Sequence, residues 1–444
     1  MKTEKIVYNT IQMKKGGKCM LENPEERKKR RQQEQQKRKA AQKKLIFRLV
    51  IAVAALLLCG IIILTISLGA RNRNEPVEPT LSQDISQPEQ TNPPSNQQTV
   101  IHFAATGDLN VTEKLVASGG AEYDYTGTFL DVAPVLASAD LTTVNLEGDF
   151  SGAPYGSNGT APQTMAQALS DAGVDMIQLA NSYAINRGIS GLQTTINSVR
   201  QAGMEPVGVF ADDKEFESKR GFSLFEIQGV RIAVVAFTKG MDGTSLVPGY
   251  ENCVNILYSD YNTTYQKIDR EKIAQVMENV QAQKPDITIA LLHWGNKMNE
   301  NISNSQKTIC NILKEYGTDA IIGTHPHYVQ KVDFDSENGT LVAYSLGDFI
   351  GADFLGGIPA AGTEYSIILD LEITKDYATG VTSITNYSYT PIFTVVEENK
   401  PVRVVRIREA MAAYEAGYMD AVNKETYAAM QNALERIEDR IAGN

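Results

Sequence analysis

The stretch "GTHPHYVQ" (residues 323–330) sets two of the chain's four histidines, His325 and His327, on either side of one proline. Side chains of compatible chemistry recur elsewhere: Asp108 in "TGDLN", Asn145 and Glu147 in "VNLEG", Asn181 in "QLAN", and His293 in "LLHWG". Each ends or follows an apolar, β-rich run, and carboxylate, amide and imidazole are donors that zinc, manganese or iron accept. Taken singly, each has a plainer explanation. An Asp after a strand is commonly a turn or cap residue, Glu147 reads as a surface carboxylate, and His293 beside Trp294 reads as a packed ring. Together they are harder to explain so, because three of the four histidines stand at strand ends, where ligands gather in open α/β sheets. His102, inside "VIHFAA", reads as structural. In "HPH", residues two apart face one side of an extended segment, and Pro326 biases His325 toward an extended backbone, so both imidazoles are expected to face one site.

The elements that must position these residues are legible as alternating patterns. Short apolar runs ("TVIHFAATGD", "LTTVNLEGD", "VDMIQLANSY", "RIAVVAFTKG", "DITIALLHWG", "DAIIGTHPH", "TLVAYSLGDF", "YSIILDLEI") alternate with helix-period stretches such as "APQTMAQALSDAG", "SGLQTTINSVRQAG" and "SNSQKTICNILKEYG". The fold class is therefore α/β, and runs apolar almost throughout suit strands covered by helices on both faces. Glycines at 173, 203 and 317 close predicted helices. Residues 396–444 have helix-forming composition and read as a terminal helical segment.

Charge divides the chain. Residues 1–48 hold 16 Lys and Arg against 5 Asp and Glu, whereas the whole chain has a net charge of −11. Residues 49–70, "LVIAVAALLLCGIIILTISLGA", carry no charge and at ~1.5 Å per residue are long enough to cross ~30 Å of hydrocarbon. The expected organisation is a basic segment (1–44), a transmembrane helix (45–70), a linker rich in Pro, Gln, Ser and Asn (71–98), an α/β domain (99–395) and the helical segment (396–444). "RKKRR" and "KRKAAQKK" before the span predict a cytoplasmic N-terminus and a large extracytoplasmic part. A cleaved signal peptide is the rival reading, but the leader and the apolar run are both too long for it. A charge run beside a span is a topology and lipid signal before it is a nucleic-acid patch, so no nucleic-acid partner is expected. Of four cysteines only Cys253 and Cys310 lie beyond the span, and two separate thiols are expected.

Six blocks in order resemble the poly-γ-glutamate capsule biosynthesis (CapA-type) family, whose domain is similar to the calcineurin-like metallophosphoesterases. They are "TGDLN", "VNLEG", "LANSYAINRGISGLQTTINSVRQAG", "LLHWG", "GTDAIIGTHPHYVQ" and "VAYSLGDFI", covering about residues 99–373. The resemblance implies a four-layer α/β sandwich and one or two divalent ions (Mn, Zn or Fe) held by Asp108, Glu147, His293, His325 and His327. Asn145, Asn181, Ser182 and Asp348 are additional candidates. The sequence departs from the family pattern at Ser182, where the block has a second Asn, and at Tyr183, where it has a His that donates a proton to the leaving group. It departs again at Asn186 and Arg187, which replace Asp-Tyr, and at Asp348, which replaces Asn. Serine is a poorer ligand, and a phenol near pKa ~10 gives up a proton less readily than an imidazolium near ~6.5. The implied function is a membrane-anchored, metal-dependent hydrolase or transferase of capsule or anionic-polymer synthesis, with an envelope polymer or polymer-synthesis proteins as partners. The alternative is a catalytically impaired relative serving as a metal- or polymer-binding scaffold in an envelope assembly.

Overall fold

The apolar runs form two β-sheets. The computed structural model describes residues 98–351, 354–355, 358–359, 361–397, 400–418 and 422–443. The expected basic segment, transmembrane helix and all but the last residue of the linker lie outside the described residues, among which no helix is long and apolar enough to cross a membrane.

The strands in chain order are β1 (Gln98–Asn110), β2 (Leu141–Glu147), β3 (Met176–Gln178), β4 (Glu205–Val207), β5 (Ser223–Ile227), β6 (Val230–Thr238), β7 (Ile287–His293), β8 (Ala320–Thr324), β9 (Val332–Asp335), β10 (Thr340–Ala343), β11 (Phe354–Leu355), β12 (Ile358–Pro359), β13 (Tyr365–Asp376), β14 (Val381–Val395) and β15 (Arg403–Arg406). The first sheet has the order β15-β14-β13-β1-β2-β3-β4 and the second β5-β6-β7-β8-β10-β9, while β11 and β12 form a ribbon. Strands β1 to β4 run parallel, as do β6, β7, β8 and β10, with antiparallel strands at the margins. The fold is mixed α/β with two sheets.

Alternation along the second sheet shows how both its faces are buried. Val230, Ile232, Val234 and Ala236 of β6, with Ile287, Ile289 and Leu291 of β7, enter one core together with Ile101, Phe103 and Leu369 of the first sheet. Ala233, Val235, Phe237, Ala290 and Leu292 point the other way, against Ile273, Val276 and Met277 of the helix Arg270–Ala282 and Ile309 and Leu313 of the helix Asn304–Glu315. The expectation of helices on both faces is thus corrected: one face of this sheet lies on helices and the other on the companion sheet. A two-fold strand period cannot distinguish these two apolar covers.

The helices start and stop for local reasons. Ser303 caps Asn304–Glu315 in a reciprocal capping box with Gln306, and the chain leaves that helix at Gly317, whose φ of +70° a side chain would oppose. The terminal segment is not only helical: β15 pairs with β14, and the helix Lys424–Ala442 buries Met430, Ala433 and Ile437 in the core shared by the sheets. Cys253 and Cys310 are buried free thiols.

Candidate metal centre

Strand ends from both sheets deliver the expected residues to one place. In β1 the parallel register with β2 shifts between Ala105 and Asp108, and such a bulge re-aims the side chain that follows. Gly107 permits it: a Cβ there would lie 1.8 Å from the Gly347 carbonyl oxygen, and the next amide, Asp108 N–H, donates to that oxygen at 3.0 Å. In the second sheet, Trp294 is fully buried and its Nε1 donates to the Tyr344 carbonyl at 2.9 Å, which anchors the end of β7 where His293 stands.

The donors form two adjacent buried groups, Glu147–His293–His325 and Asp108–His327–Asp348, the ligand atoms in each lying within 4.8 Å of one another. In the first, His293 Nε2 is 2.5 Å from Glu147 Oε1 and 3.0 Å from His325 Nδ1. In the second, His327 Nδ1 is 2.8 Å from Asp348 Oδ1 and 3.6 Å from Asp108 Oδ2. The groups are joined: His325 N–H donates to Asp108 Oδ2 at 2.9 Å. Asp108 Oδ1 accepts from Asn145 Nδ2 at 2.5 Å, and Asn145 Oδ1 accepts from Asn181 Nδ2 at 3.0 Å, so a chain of amides fixes the carboxylate.

The surroundings of His293 select its tautomer. Thr238 Oγ1 donates to the Gly240 carbonyl at 3.0 Å, which leaves it an acceptor toward His293 Nδ1 at 3.1 Å. That nitrogen then carries the ring proton, and Nε2 presents its lone pair to Glu147 and His325, the arrangement of a metal-ligating histidine held from behind.

Burial dominates the electrostatics. It pushes the Asp108 carboxyl up to about 7, helped by the neighbouring Glu147 charge. It raises Glu147, and it holds His293 down at about 3 and His325 well below the ordinary imidazole range. Protons or cations must therefore offset three sealed carboxylates beside neutral rings. The residues fit a divalent cation on three counts: the His293 lone pair faces the Glu147 carboxyl and the His325 ring, carboxylates crowd Asp108, and His327 Nε2 is buried without a hydrogen-bond partner.

All five expected ligands are brought together, and Asp348 joins them. The "HPH" geometry differs from expectation. His325 has φ +91° and His327 φ +63°, so the segment is bent rather than extended, and the two rings serve different groups. The His325 hydrogen bond to Asp108 helps hold this sparsely populated backbone, whose cost is on the order of 1–3 kcal/mol per residue. Asn145 and Asn181 spend their amides on Asp108 and on one another, and Ser182 Oγ turns to Asp242 Oδ1 at 3.3 Å. Tyr183 is half-buried, and a Cβ on Gly159 would lie 2.7 Å from its ring; burial, then Glu147, raises its phenol, which stays protonated. Asn186 and Arg187 hold the loop at 157–160 through Asn158 O, Ser157 O and Thr160 Oγ1. His102 pairs with Asp370 at 3.0 Å, away from the centre. Sequence reasoning missed Thr238, Lys239, Asp242 and Lys297. Thr238 ends β6, so the strand-end rule applied to that run would have found it.

The profile of the family described as "Bacterial capsule synthesis protein PGA_cap" matches residues 102–353, more than half of the chain. The chain belongs to this family. It is 24% identical over 264 residues to the PGA biosynthesis protein CapA of Bacillus subtilis (strain 168), covering 56% of this chain and 63% of that protein. It is likewise 24% identical over 250 residues to the capsule biosynthesis protein CapA of Bacillus anthracis, covering 54% and 56%. The chain thus spans roughly three-fifths of the length of these curated relatives. Among solved structures it is similar to a novel phosphatase from Mycoplasma pneumoniae (TM-score 0.40, 16% identity, 67% of this chain and 95% of that one). It is also similar to a 5'-nucleotidase precursor from Thermus thermophilus (TM-score 0.41, 10% identity, 77% and 59%).

Proposed function

We propose that this family member is a membrane-anchored protein of capsule or poly-γ-glutamate synthesis whose centre holds one or two divalent ions (Mn, Zn or Fe). On this reading it performs hydrolysis or transfer on a phosphoester or an anionic envelope polymer. The observation that carries the proposal is the pair of adjoining buried donor groups with the lone pair of His293 turned inward. Glu147, His293 and His325 would hold one ion, and Asp108, His327 and Asp348 a second. When bound, such ions polarise a phosphoryl or carbonyl oxygen and lower the pKa of a coordinated water. The chain's own residues do the rest: Asn181 and Asn145 orient Asp108, and Thr238 fixes His293. The proposal includes a four-layer sandwich, with helices outside the two sheets. It also includes a single span at 45–70 with a cytoplasmic N-terminus, supported by the uncharged run at 49–70 and the basic residues before it.

A second reading has its own support. With Tyr183 protonated and Ser182 turned to Asp242, proton donation and ligation at these two positions are weaker than in the family pattern, which suits a scaffold that holds metal without turnover. Elemental analysis of the full chain, with a phosphodiester panel on the wild type, His325→Ala and Ser182→Asn/Tyr183→His, separates the two. The catalytic reading expects bound metal and wild-type turnover, both lost in His325→Ala; turnover gained only by the double variant would favour the scaffold.

A further inference from the structure

Three residues from three loops meet at the rim of the centre. Ser182 follows β3 of the first sheet, Asp242 lies in the turn after β6, and Lys297 follows β7. Ser182 Oγ donates to Asp242 Oδ1 at 3.3 Å, and Lys297 Nζ donates to Asp242 Oδ2 at 3.4 Å. Asp242 thus ties a loop of the first sheet to a loop of the second, next to Asn181 of the amide chain that fixes Asp108. Both contacts are long, and the ion pair is open to water, with the Lys297 side chain 39% and the Asp242 side chain 63% exposed. A pair of this kind is held weakly and is readily exchanged for another anion.

The Lys297 charge also reaches the buried centre. Burial works against its ammonium, but the Glu147 and Asp242 carboxylates, with Asp108 behind them, outweigh that and raise its pKa. Lys239, by contrast, is committed elsewhere: its Nζ donates to the Gly295 carbonyl at 2.8 Å and lies 4.7 Å from the Tyr265 ring centre. Lys297 is therefore the lysine whose partner is a solvent-facing carboxylate at the rim. An anionic substrate nearing three buried carboxylates needs positive charge at the entrance as well as inside.

We propose that Lys297 is the substrate-oxyanion residue of this centre, with the Asp242 carboxylate as an internal placeholder that an incoming phosphoryl oxygen displaces. Ser182 then acts as a positioning residue, holding the Asp242 carboxylate beside Lys297. This gives the serine that replaces the family asparagine a part in substrate recognition. The proposal rests on the metal-centre reading for its substrate but has its own observable.

The test is titration of inorganic phosphate into the full chain by calorimetry, before and after loading with Mn²⁺, with metal content measured alongside. Lys297→Ala is expected to weaken phosphate binding at least tenfold with metal content unchanged, and Lys297→Arg to restore most of it. Asp242→Asn, which removes the competitor, is expected to tighten binding severalfold. Equal phosphate affinity in wild type and Lys297→Ala, weaker binding in Asp242→Asn, or no phosphate binding by the wild type would each overturn the proposal. Lys297-dependent phosphate binding by a chain that takes up no metal would instead count against the metal-centre reading and leave this one standing.

Discussion

Asp108 is sealed from water between Glu147 and Asp348, and without a cation it keeps its proton until about pH 7. Its folded pKa lies above the ordinary 3.8, so in the metal-free protein it favours folding in acid, and that contribution is lost as pH rises through about 7. His293 has the opposite sign: its pKa falls from 6.5 to about 3, so its contribution is present above 6.5 and is lost as pH falls toward 3. A bound cation competes with the Asp108 proton, so metal stabilises least in acid. The gap in melting temperature between Mn²⁺-loaded and chelator-treated protein is expected to shrink from pH 8 to pH 6; a gap that widened in acid would contradict this placement of Asp108. Thr238→Val should release the His293 tautomer while leaving all six donors in place, and a 10–100-fold loss of metal affinity is expected, about the usual effect of removing such a partner. Equilibrium dialysis against Mn²⁺ would measure it. At this scale the sequence named the donors, since each ends an apolar run, but not their division into two groups. The pairing of Glu147 with His293, 146 positions apart, and of Asp108 with His325, 217 positions apart, depends on how distant strands pack, and only His327 and Asp348 are near neighbours in the chain.

The bulge at the end of β1 and the bend after β8 decide where donors point. Gly107 stands in the bulge and Gly323 within β8 just before the bend because neighbouring backbone passes too close for a Cβ: 1.8 Å to Gly347 O in one case and 2.1 Å to Tyr344 O in the other. Gly107→Ala is expected to destabilise the fold by about 2–3 kcal/mol, as overpacking of rigid backbone does, with metal affinity falling as Asp108 shifts. Denaturant unfolding checks the first part, and an unchanged midpoint would show that the loops yield. The type and order of the strands that carry the donors were legible from periodicity, and helix ends from glycines such as Gly317. The bent "HPH" segment was not, because its backbone is held by a carboxylate from the other sheet rather than by Pro326.

At the scale of the molecule, the C-terminal helices belong to the core that serves the centre. Ile437 of Lys424–Ala442 is fully buried. Arg440 pairs with Glu300 of the loop after β7 and lies 5.1 Å from the ring centre of Tyr328, the residue next to His327. Ile437→Ala is expected to lower stability by about 2–4 kcal/mol, in the range for a truncated core aliphatic. A single cooperative unfolding transition would mark the terminal segment as part of the domain, whereas a separate early transition would mark it as an appendage. Composition made the helical character of this segment visible, but β15 is four residues long and takes its meaning only from pairing with β14.

Residue type and local period were enough to give the α/β class, the family, the strand-end donors and the points of departure at Ser182, Tyr183 and Asp348. It took the packed fold to show that two sheets share one core, that six donors form two groups, and that Ser182 reaches Asp242 and thence Lys297. Those are contacts between distant segments, set by how sheet faces cover one another, and a local pattern of apolar and polar residues does not record which distant surface covers it.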